Sequence, residues 1–199
     1  MLIGIDFDNT ISCYDHAFSY AARDMGLVVG CGELTKEEVR TRVRSGPHGE
    51  TGWQRLQGRV YGHYLEHASV FEGFADFVGS ARARGHRLRI ISHKTRFGHF
   101  DPDRIDLTAA ARDWMGRHGF FDAAGLAFDP AEVSFHPSRD DKVAAIVATG
   151  CEAFIDDLPE VLLDPGFPSA TRRFLFAAAG REDLPAFPTW AALTKAVLA

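Results

Sequence analysis

Residues 2–6, near the start of the chain, form a short apolar run that ends in a carboxylate, Asp6, and a second carboxylate, Asp8, follows two residues later. A short apolar run that ends in polar, turn-forming residues is typical of a strand buried in a parallel sheet. In an open parallel sheet, ligands bind just beyond the carboxyl ends of the strands. The segment therefore predicts a parallel sheet with an acidic site at the end of its first strand.

The two carboxylates also indicate a bound cation. Acidic groups this close repel each other unless a cation or a shared proton intervenes. Mg²⁺ prefers oxygen ligands, usually one or two carboxylates together with a substrate phosphate. Asp6 and Asp8 therefore suggest a Mg²⁺-assisted phosphoryl-transfer site.

Strand-like segments alternate with helical patterns along most of the chain. Apolar runs predict strands at 2–6, 88–92, 153–156 and 173–176, with a weaker candidate at 125–128. Helices are predicted at 74–84, 107–118, 140–149 and 190–198. This alternation indicates parallel βαβ units, and strands that are apolar throughout are typical of a sheet covered on both faces. We therefore predict an α/β fold, a doubly wound parallel sheet.

The segment 13–69 breaks this alternation, because it contains no clear strand. It offers helical candidates at 15–25, 35–44 and 52–67, and Thr35 with Glu38 three residues later is the signature of a capping box. An insertion at this point would lie over the strand ends. We expect a core of residues 1–12 and 70–199 and a small helical cap of residues 13–69.

Composition limits the classes of function. The chain has 199 residues and a net charge of −5, so it offers no basic footprint for nucleic acid, which we do not expect as a partner. No apolar run approaches the ~20 residues that a membrane-spanning helix needs. The start of the chain does not resemble a signal peptide, so we expect a cytoplasmic protein.

Cys13, Cys31 and Cys151 have no paired spacing, which favours incidental or buried thiols over a disulfide or zinc site.

Three further groups of polar residues follow predicted strands or begin a predicted helix. They are Ser92 with His93 and Lys94, then Lys142, then Asp156 with Asp157. Each alone has an ordinary explanation, since aspartate often caps a helix, serine often occupies turns, and lysine is usually solvated. Their joint occurrence with the two carboxylates at the end of the first predicted strand indicates a site for phosphate and Mg²⁺.

These residues resemble the four sequence motifs of the haloacid dehalogenase superfamily of phosphohydrolases. The resemblance rests on Asp6-Phe7-Asp8-Asn9-Thr10, Ser92, Lys142 and Asp156-Asp157, and it covers the core from about residue 1 to 12 and 70 to 180. The predicted cap resembles the class inserted between the first and second motifs. The resemblance implies a Rossmann-like core and a phosphatase that forms an aspartyl-phosphate.

The resemblance also implies a role for each residue. Asp6 would be the nucleophile, and Asp8 would protonate the leaving group and later deprotonate water. Asp156 and Asp157 would bind Mg²⁺ together with Asp6 and the backbone of Asp8, with Asp157 favoured as the direct ligand. Ser92 and Lys142 would hold the phosphoryl oxygens, and Thr10 would order the loop. Apart from the resemblance, Thr10 and His93 are also candidates for phosphate binding, His93 because it directly follows Ser92.

The residues that would recognise the rest of the substrate are less sharply indicated. Arg55 and Arg59 share a helix face beside Trp53, and Lys94 directly follows the predicted site, so these four are candidates for specificity. The alternative is a solvated helix face beside a core stripe of Trp53, Leu56 and Val60.

The favoured function is a Mg²⁺-dependent phosphatase for a small phosphorylated metabolite, such as a sugar phosphate or a nucleotide. A 5′-nucleotidase is the sharpest variant, since Trp53 or Tyr61 would be able to stack on a base. A phospho-acceptor signalling domain and a non-catalytic binding domain are the alternatives from other classes. The sequence does not specify the oligomeric state.

Overall fold

The computed structural model describes residues 1–30 and 32–199, so Cys31 lies outside the described residues. The strands, numbered in chain order, are β1 (Leu2–Ile5), β2 (Ser12–Cys13), β3 (Ser69–Val70), β4 (Arg87–His93), β5 (Val133–His136), β6 (Ala153–Asp156), β7 (Arg172–Phe176) and β8 (Ala186–Phe187). The α-helices are α1 (Asp15–Asp24), α2 (Lys36–Ser45), α3 (Gly49–Val60), α4 (Phe74–Ala83), α5 (Leu107–Arg117), α6 (Arg139–Thr149), α7 (Pro159–Leu162) and α8 (Trp190–Val197).

Six strands form one parallel sheet in the order β5-β4-β1-β6-β7-β8. The first strand is central, and Ile3 is in register with Leu88 of β4 on one side and with Ala153 of β6 on the other. Because the three strands are parallel and adjacent, their carboxyl ends meet at one edge of the sheet. The predicted α/β fold with a doubly wound, Rossmann-like sheet is confirmed.

Helices cover both faces of the sheet, as two neighbouring residues of β7 illustrate. Successive side chains of a strand point to opposite faces. Leu175 packs in the core cluster that contains Val143 and Ile146 of α6, whereas the ring of Phe176 lies 5.6 Å from that of Trp190 in α8. Burial on both faces explains why the central strands are apolar throughout.

The chain divides into two compact units. The first contains Met1–Ser12, Val70–Lys94 and Gly119–Ala199, and the second contains Cys13–Ser69 and Thr95–His118. The sequence-based division differs at 95–118, which it assigned to the core. Within the second unit Trp114 donates from Nε1 to the carbonyl of Ala68 at 3.2 Å, and a side chain on Gly58 would collide with the backbone of His99. These long-range contacts join α5 and the loop before it to the helices of the second unit.

The helices of the second unit follow the predicted pattern with shifted ends. The capping box of α2 is confirmed, because Thr35 accepts from the backbone of Glu38 and Glu38 accepts from the backbone of Thr35. The helix predicted at 52–67 is shorter and earlier, since α3 ends at Val60 and a separate 3-10 turn covers Leu65–His67. No helix in the described part of the chain has the length and apolar character needed to cross a membrane.

One strand prediction is wrong, and the strands that were missed are the edge strand β5 and the two-residue strands β2, β3 and β8. Residues 125–128 contain no strand; a turn covers residues 123–126, the backbone nitrogens of Gly125 and Ala127 donate to the carbonyl of Asp122, and Ala127 has a φ of 50°. The fifth strand lies instead at Val133–His136, on the sheet edge. Its sequence alternates apolar and polar residues, so it lacks the continuous apolar run that marks a central strand.

The described cysteines, Cys13 and Cys151, are both free thiols. Burial raises the pKa of the half-buried Cys13 and raises that of the buried Cys151 to about 11. Thiols with raised pKa values are poor nucleophiles and poor metal ligands at neutral pH. For these two residues the structure agrees with the expectation of incidental or buried thiols.

Candidate active site

The site lies at the carboxyl edge of the sheet, where three neighbouring strands end. Asp6 directly follows β1, and its backbone nitrogen donates to the carbonyl of Ile155 in β6 at 2.9 Å. Ser92 lies near the end of β4, and Asp156 is the last residue of β6. The sheet register therefore brings together polar residues that are far apart in the sequence.

Side-chain donors surround the carboxylate of Asp6, whose side chain is only 5% exposed. Ser92 donates from its hydroxyl to Oδ1 at 2.8 Å, and Lys142 donates from Nζ to the same oxygen at 2.6 Å. Thr10 makes a longer contact of 3.4 Å to Oδ2. A hydroxyl and an ammonium that hold a carboxylate in this way are also the groups that would bind phosphoryl oxygens.

Lys142 reaches the site from the first turn of α6. The helix begins after Ser138, whose hydroxyl accepts from the backbone of Asp141. The Nζ atom of Lys142 also donates to Oδ2 of Asp156 at 2.6 Å. Burial alone would lower the pKa of this ammonium, but the charges of Asp156 and Asp6 outweigh burial and raise it above its ordinary value. Lys142 is therefore a fixed, charged group in the site.

Asp156 is fully buried, and burial raises its pKa to about 7, because Lys142 only partly offsets the desolvation and the charge of Asp6. One ammonium thus serves two carboxylates. Asp157 brings a third, and single oxygens of Asp6, Asp156 and Asp157 lie within 4.8 Å of one another. A group of carboxylate oxygens with excess negative charge fits a hard cation such as Mg²⁺. These three residues are therefore suited to hold the predicted metal.

The loop after β1 presents Asp8 beside Lys94. The backbone nitrogens of Ile11 and Ser12 donate to the carbonyl of Phe7 at 3.0 Å, and Asn9 occupies the left-handed region with a φ of 60°. In this turn the carboxylate of Asp8 accepts from Nζ of Lys94 at 2.7 and 3.0 Å. Lys94 was predicted to contact the substrate, whereas in the structure it is buried against Asp8.

His93, a predicted phosphate-binding residue, is exposed, and its Nε2 contacts the carbonyl of Pro137 at 3.1 Å. Ser92 is buried and contacts Asp6. Because successive strand residues point in opposite directions, the two side chains diverge at the end of β4. The structure accordingly brings Ser92, but not His93, to the carboxylate of Asp6.

The specificity candidates of α3 have different surroundings. Trp53 is 3% exposed and stacks on Phe18 with ring centroids 5.1 Å apart, so packing accounts for this side chain. Arg59 forms ion pairs with Asp101, at 3.1 Å, and with Asp103. Arg55 is exposed. It lines a cavity of about 400 Å³ with Arg59, Met25, Phe100 and Pro102.

The pairing of Lys94 with Asp8 was not anticipated from the sequence. The two residues are 86 positions apart, and only the alignment of β1 with β4 brings them together. The position of Lys94 two residues after Ser92 places it near the site, but its pairing with Asp8 depends on the strand order, in which β4 lies next to β1. The sequence contained no further signal for this contact.

Comparisons with known proteins give matches only at the level of structure. No protein-family profile matches the chain, and no curated protein matches it. A haloacid dehalogenase hydrolase of family IA, variant 3, from Entamoeba histolytica is similar at 10% identity and a TM-score of 0.59, over 96% of this chain and 93% of that chain. Protein tyrosine kinase A from Mycobacterium tuberculosis is similar at 15% identity and a TM-score of 0.59, over 98% and 97%.

A third similar structure is described as a predicted phosphoglycolate phosphatase from Haemophilus somnus. It shares 13% identity and a TM-score of 0.54, over 98% of this chain and 97% of that chain. The three proteins carry different activities in their names, and their identity to this chain is low. They therefore show a common fold and do not transfer an activity.

Proposed function

On the haloacid dehalogenase fold that this chain has, we propose that the site around Asp6 hydrolyses a small phosphomonoester with the help of Mg²⁺. The observation that carries the proposal is the environment of Asp6. Its carboxylate lies at the end of the central strand and accepts from Ser92 and from the buried Lys142. An anionic nucleophile can approach an anionic phosphate only where fixed cations and donors offset their repulsion.

The first half of the reaction would transfer the phosphoryl group to Asp6. A carboxylate oxygen of Asp6 forms a bond to phosphorus, and the bond from phosphorus to the leaving oxygen breaks. The leaving oxygen keeps the bonding electron pair and takes a proton from Asp8. Ser92 and Lys142 hold the other phosphoryl oxygens. The product of this half is an aspartyl-phosphate and the free alcohol.

The second half would release inorganic phosphate. Asp8 accepts a proton from a water molecule, whose oxygen bonds to phosphorus while the bond from phosphorus to Asp6 breaks. The carboxylates suited to hold Mg²⁺ are those of Asp6, Asp156 and Asp157. When bound there, the ion would supply positive charge that stabilises the phosphoryl group.

The substrate is proposed to be a small metabolite, such as a sugar phosphate. The nucleotidase variant has no added support from the aromatic residues considered for it. Trp53 stacks on Phe18, and Tyr61 lies edge-to-face on Tyr14 at 5.0 Å. Both rings are engaged in packing within the second unit.

The test is turnover of a phosphomonoester panel in the presence of Mg²⁺, with sugar phosphates, nucleoside monophosphates and an aryl phosphate included. We expect hydrolysis of at least one compound, and loss of turnover in Asp6→Asn because the amide is a poor nucleophile. Asp76→Asn is the matched control, since Asp76 is exposed on α4. Inactivity of the folded wild type on every compound, or wild-type rates in Asp6→Asn, would contradict the proposal. A phospho-enzyme that forms and persists would favour a signalling domain instead.

A further inference from the structure

The structure gives Asp8 a cation of its own, separate from the one that serves Asp6. Nζ of Lys94 lies 2.7 Å from Oδ2 and 3.0 Å from Oδ1 of Asp8. The side chain of Lys94 is 2% exposed and that of Asp8 is 19% exposed. Burying an ammonium is costly unless a partner compensates it, so its presence at this position calls for an explanation.

The surroundings of Lys94 hold its ammonium in one place. Nζ lies 5.6 Å from the ring centre of Phe7 and 6.0 Å from that of Phe135, and the two rings meet edge-to-face at 5.7 Å. The backbone nitrogen of Lys94 donates to the carbonyl of His136 in β5 at 2.8 Å. Aromatic faces attract a cation and displace water, which strengthens its interaction with a nearby carboxylate.

Under the proposed function Asp6 and Asp8 have different tasks, and each of them contacts a different lysine. Lys142 contacts Asp6 and Asp156, whereas Lys94 contacts Asp8. A general acid and base must lie within hydrogen-bonding reach of the group it serves. A buried ammonium that contacts both oxygens of the Asp8 carboxylate restricts the rotation of that carboxylate.

We propose that Lys94 is a positioning residue, which fixes the carboxylate of Asp8 in the orientation needed for proton transfer. This proposal rests on the proposed phosphatase function. It differs from the sequence-based expectation that Lys94 binds the substrate. In the structure both carboxylate oxygens of Asp8 lie within hydrogen-bonding distance of Nζ of Lys94, so the lysine would act on the reaction through Asp8.

The two roles of Lys94 predict different kinetics. A substrate-binding lysine would raise KM when removed and would leave kcat largely unchanged. A positioning lysine would lower kcat with little effect on KM, because Asp8 would still be present but misplaced. Removal should cost about tenfold to a hundredfold in kcat, which is part of the ~10²–10⁴-fold that a general acid and base contributes.

The experiment is a double-mutant cycle of Lys94→Met and Asp8→Asn, assayed with Mg²⁺ on p-nitrophenyl phosphate and on phenyl phosphate. If Lys94 acts through Asp8, its removal will have little further effect in the Asp8→Asn background. The loss of kcat/KM in Lys94→Met will also be larger for phenyl phosphate, whose poorer leaving group depends more on the acid. Lys195→Met, at an exposed position of α8, is the control and should match the wild type.

The outcomes separate this proposal from the proposed function. A folded wild type that is inert on both esters would overturn both. An active wild type whose losses in the two single variants multiply, or do not depend on the leaving group, would overturn only the role of Lys94. If Lys94→Met does not fold, Lys94→Gln keeps a hydrogen-bond donor and removes the charge, and the same cycle and the same criteria apply.

Discussion

Each compact unit contains a cation that is shared by two carboxylates. The strand-end cluster is Lys142 with Asp6 and Asp156, and the loop cluster is Arg59 with Asp101 and Asp103. Both clusters contain charged side chains that are buried to different extents. Lys142 was predicted from the sequence to bind phosphate, and Arg59 was a candidate for contact with the rest of the substrate. Their surroundings nevertheless differ.

The loop cluster is tied to the backbone. Asp101 has a fully buried side chain and accepts from the backbone nitrogens of Asp103 and Ile105 as well as from Arg59. Such a carboxylate is saturated by its own loop, which it holds in shape. The loop cluster therefore resembles a structural anchor.

The strand-end cluster is built from side chains. The donors to the Asp6 carboxylate in the described part of the chain are Ser92, Thr10 and Lys142, and a further carboxylate, Asp157, lies close by. Side-chain donors can transfer their hydrogen bonds to phosphoryl oxygens when a substrate arrives. The two ion-pair clusters therefore differ in the partners around them, and under the proposed function it is these partners, rather than the ion pair itself, that make the strand-end cation part of an active site.

The largest expected effect separates the two clusters by activity. Lys142→Met should lower kcat/KM by at least about 10²- to 10³-fold, because under the proposed function it removes a preorganised charge that binds the phosphoryl group. Steady-state assays with an aryl phosphate would measure the loss, and circular dichroism would check folding. Activity near that of the wild type in a folded variant would remove the distinction between the clusters.

A second prediction concerns the cation that the strand-end cluster is suited to hold. We expect chelation to abolish turnover and Mg²⁺ to restore it, and we expect Asp157→Asn to raise the Mg²⁺ concentration for half-maximal activity by about tenfold or more, since a carboxylate ligand is lost. Titration of activity against Mg²⁺ measures this shift. An unchanged Mg²⁺ requirement would mean that Asp157 does not bind the ion.

The loop cluster should affect stability far more than turnover. Arg59→Met leaves the buried Asp101 without its cation, and we expect a loss of about 2–3 kcal/mol in the free energy of unfolding, below the ~3–5 kcal/mol for breaking a fully buried pair because Asp101 keeps its backbone donors. Denaturant unfolding would measure it, and Asp101→Asn in the same chain should recover part of the loss. A fall in kcat as large as that of Lys142→Met would contradict the structural role.

The strand-end cluster was largely predictable from the sequence. Continuous apolar runs marked the central strands β1, β4 and β6, and therefore the edge where Asp6, Ser92 and Asp156 meet. Local patterns of this kind follow from burial on both faces of a parallel sheet. The edge strand β5 was missed because it is partly exposed and alternates polar with apolar residues.

Side-chain contacts between distant parts of the chain could not be predicted from the sequence. The pairs Lys94 with Asp8 and Arg59 with Asp101 join residues 86 and 42 positions apart, and neither spacing carries a local period. Residues 95–118 were assigned to the core because the helix at 107–118 continues the alternation of strands and helices, and this alternation does not say which unit a helix packs against. Trp53 was considered for substrate contact on composition alone, and packing on Phe18 accounts for it.

The most direct test of the covalent mechanism is to locate phosphate on the protein after brief reaction, in the presence of Mg²⁺, with a phosphomonoester that the wild type hydrolyses. With p-nitrophenyl phosphate, whose leaving group needs little protonation, Asp8→Asn should still form the aspartyl-phosphate but lacks the base for its hydrolysis, so the intermediate should accumulate on that variant. Borohydride reduction and peptide mass spectrometry would identify the modified residue. Phosphate on Asp6 is the predicted result, whereas phosphate on another residue, or turnover with no covalent species in single-turnover experiments, would contradict the central claim.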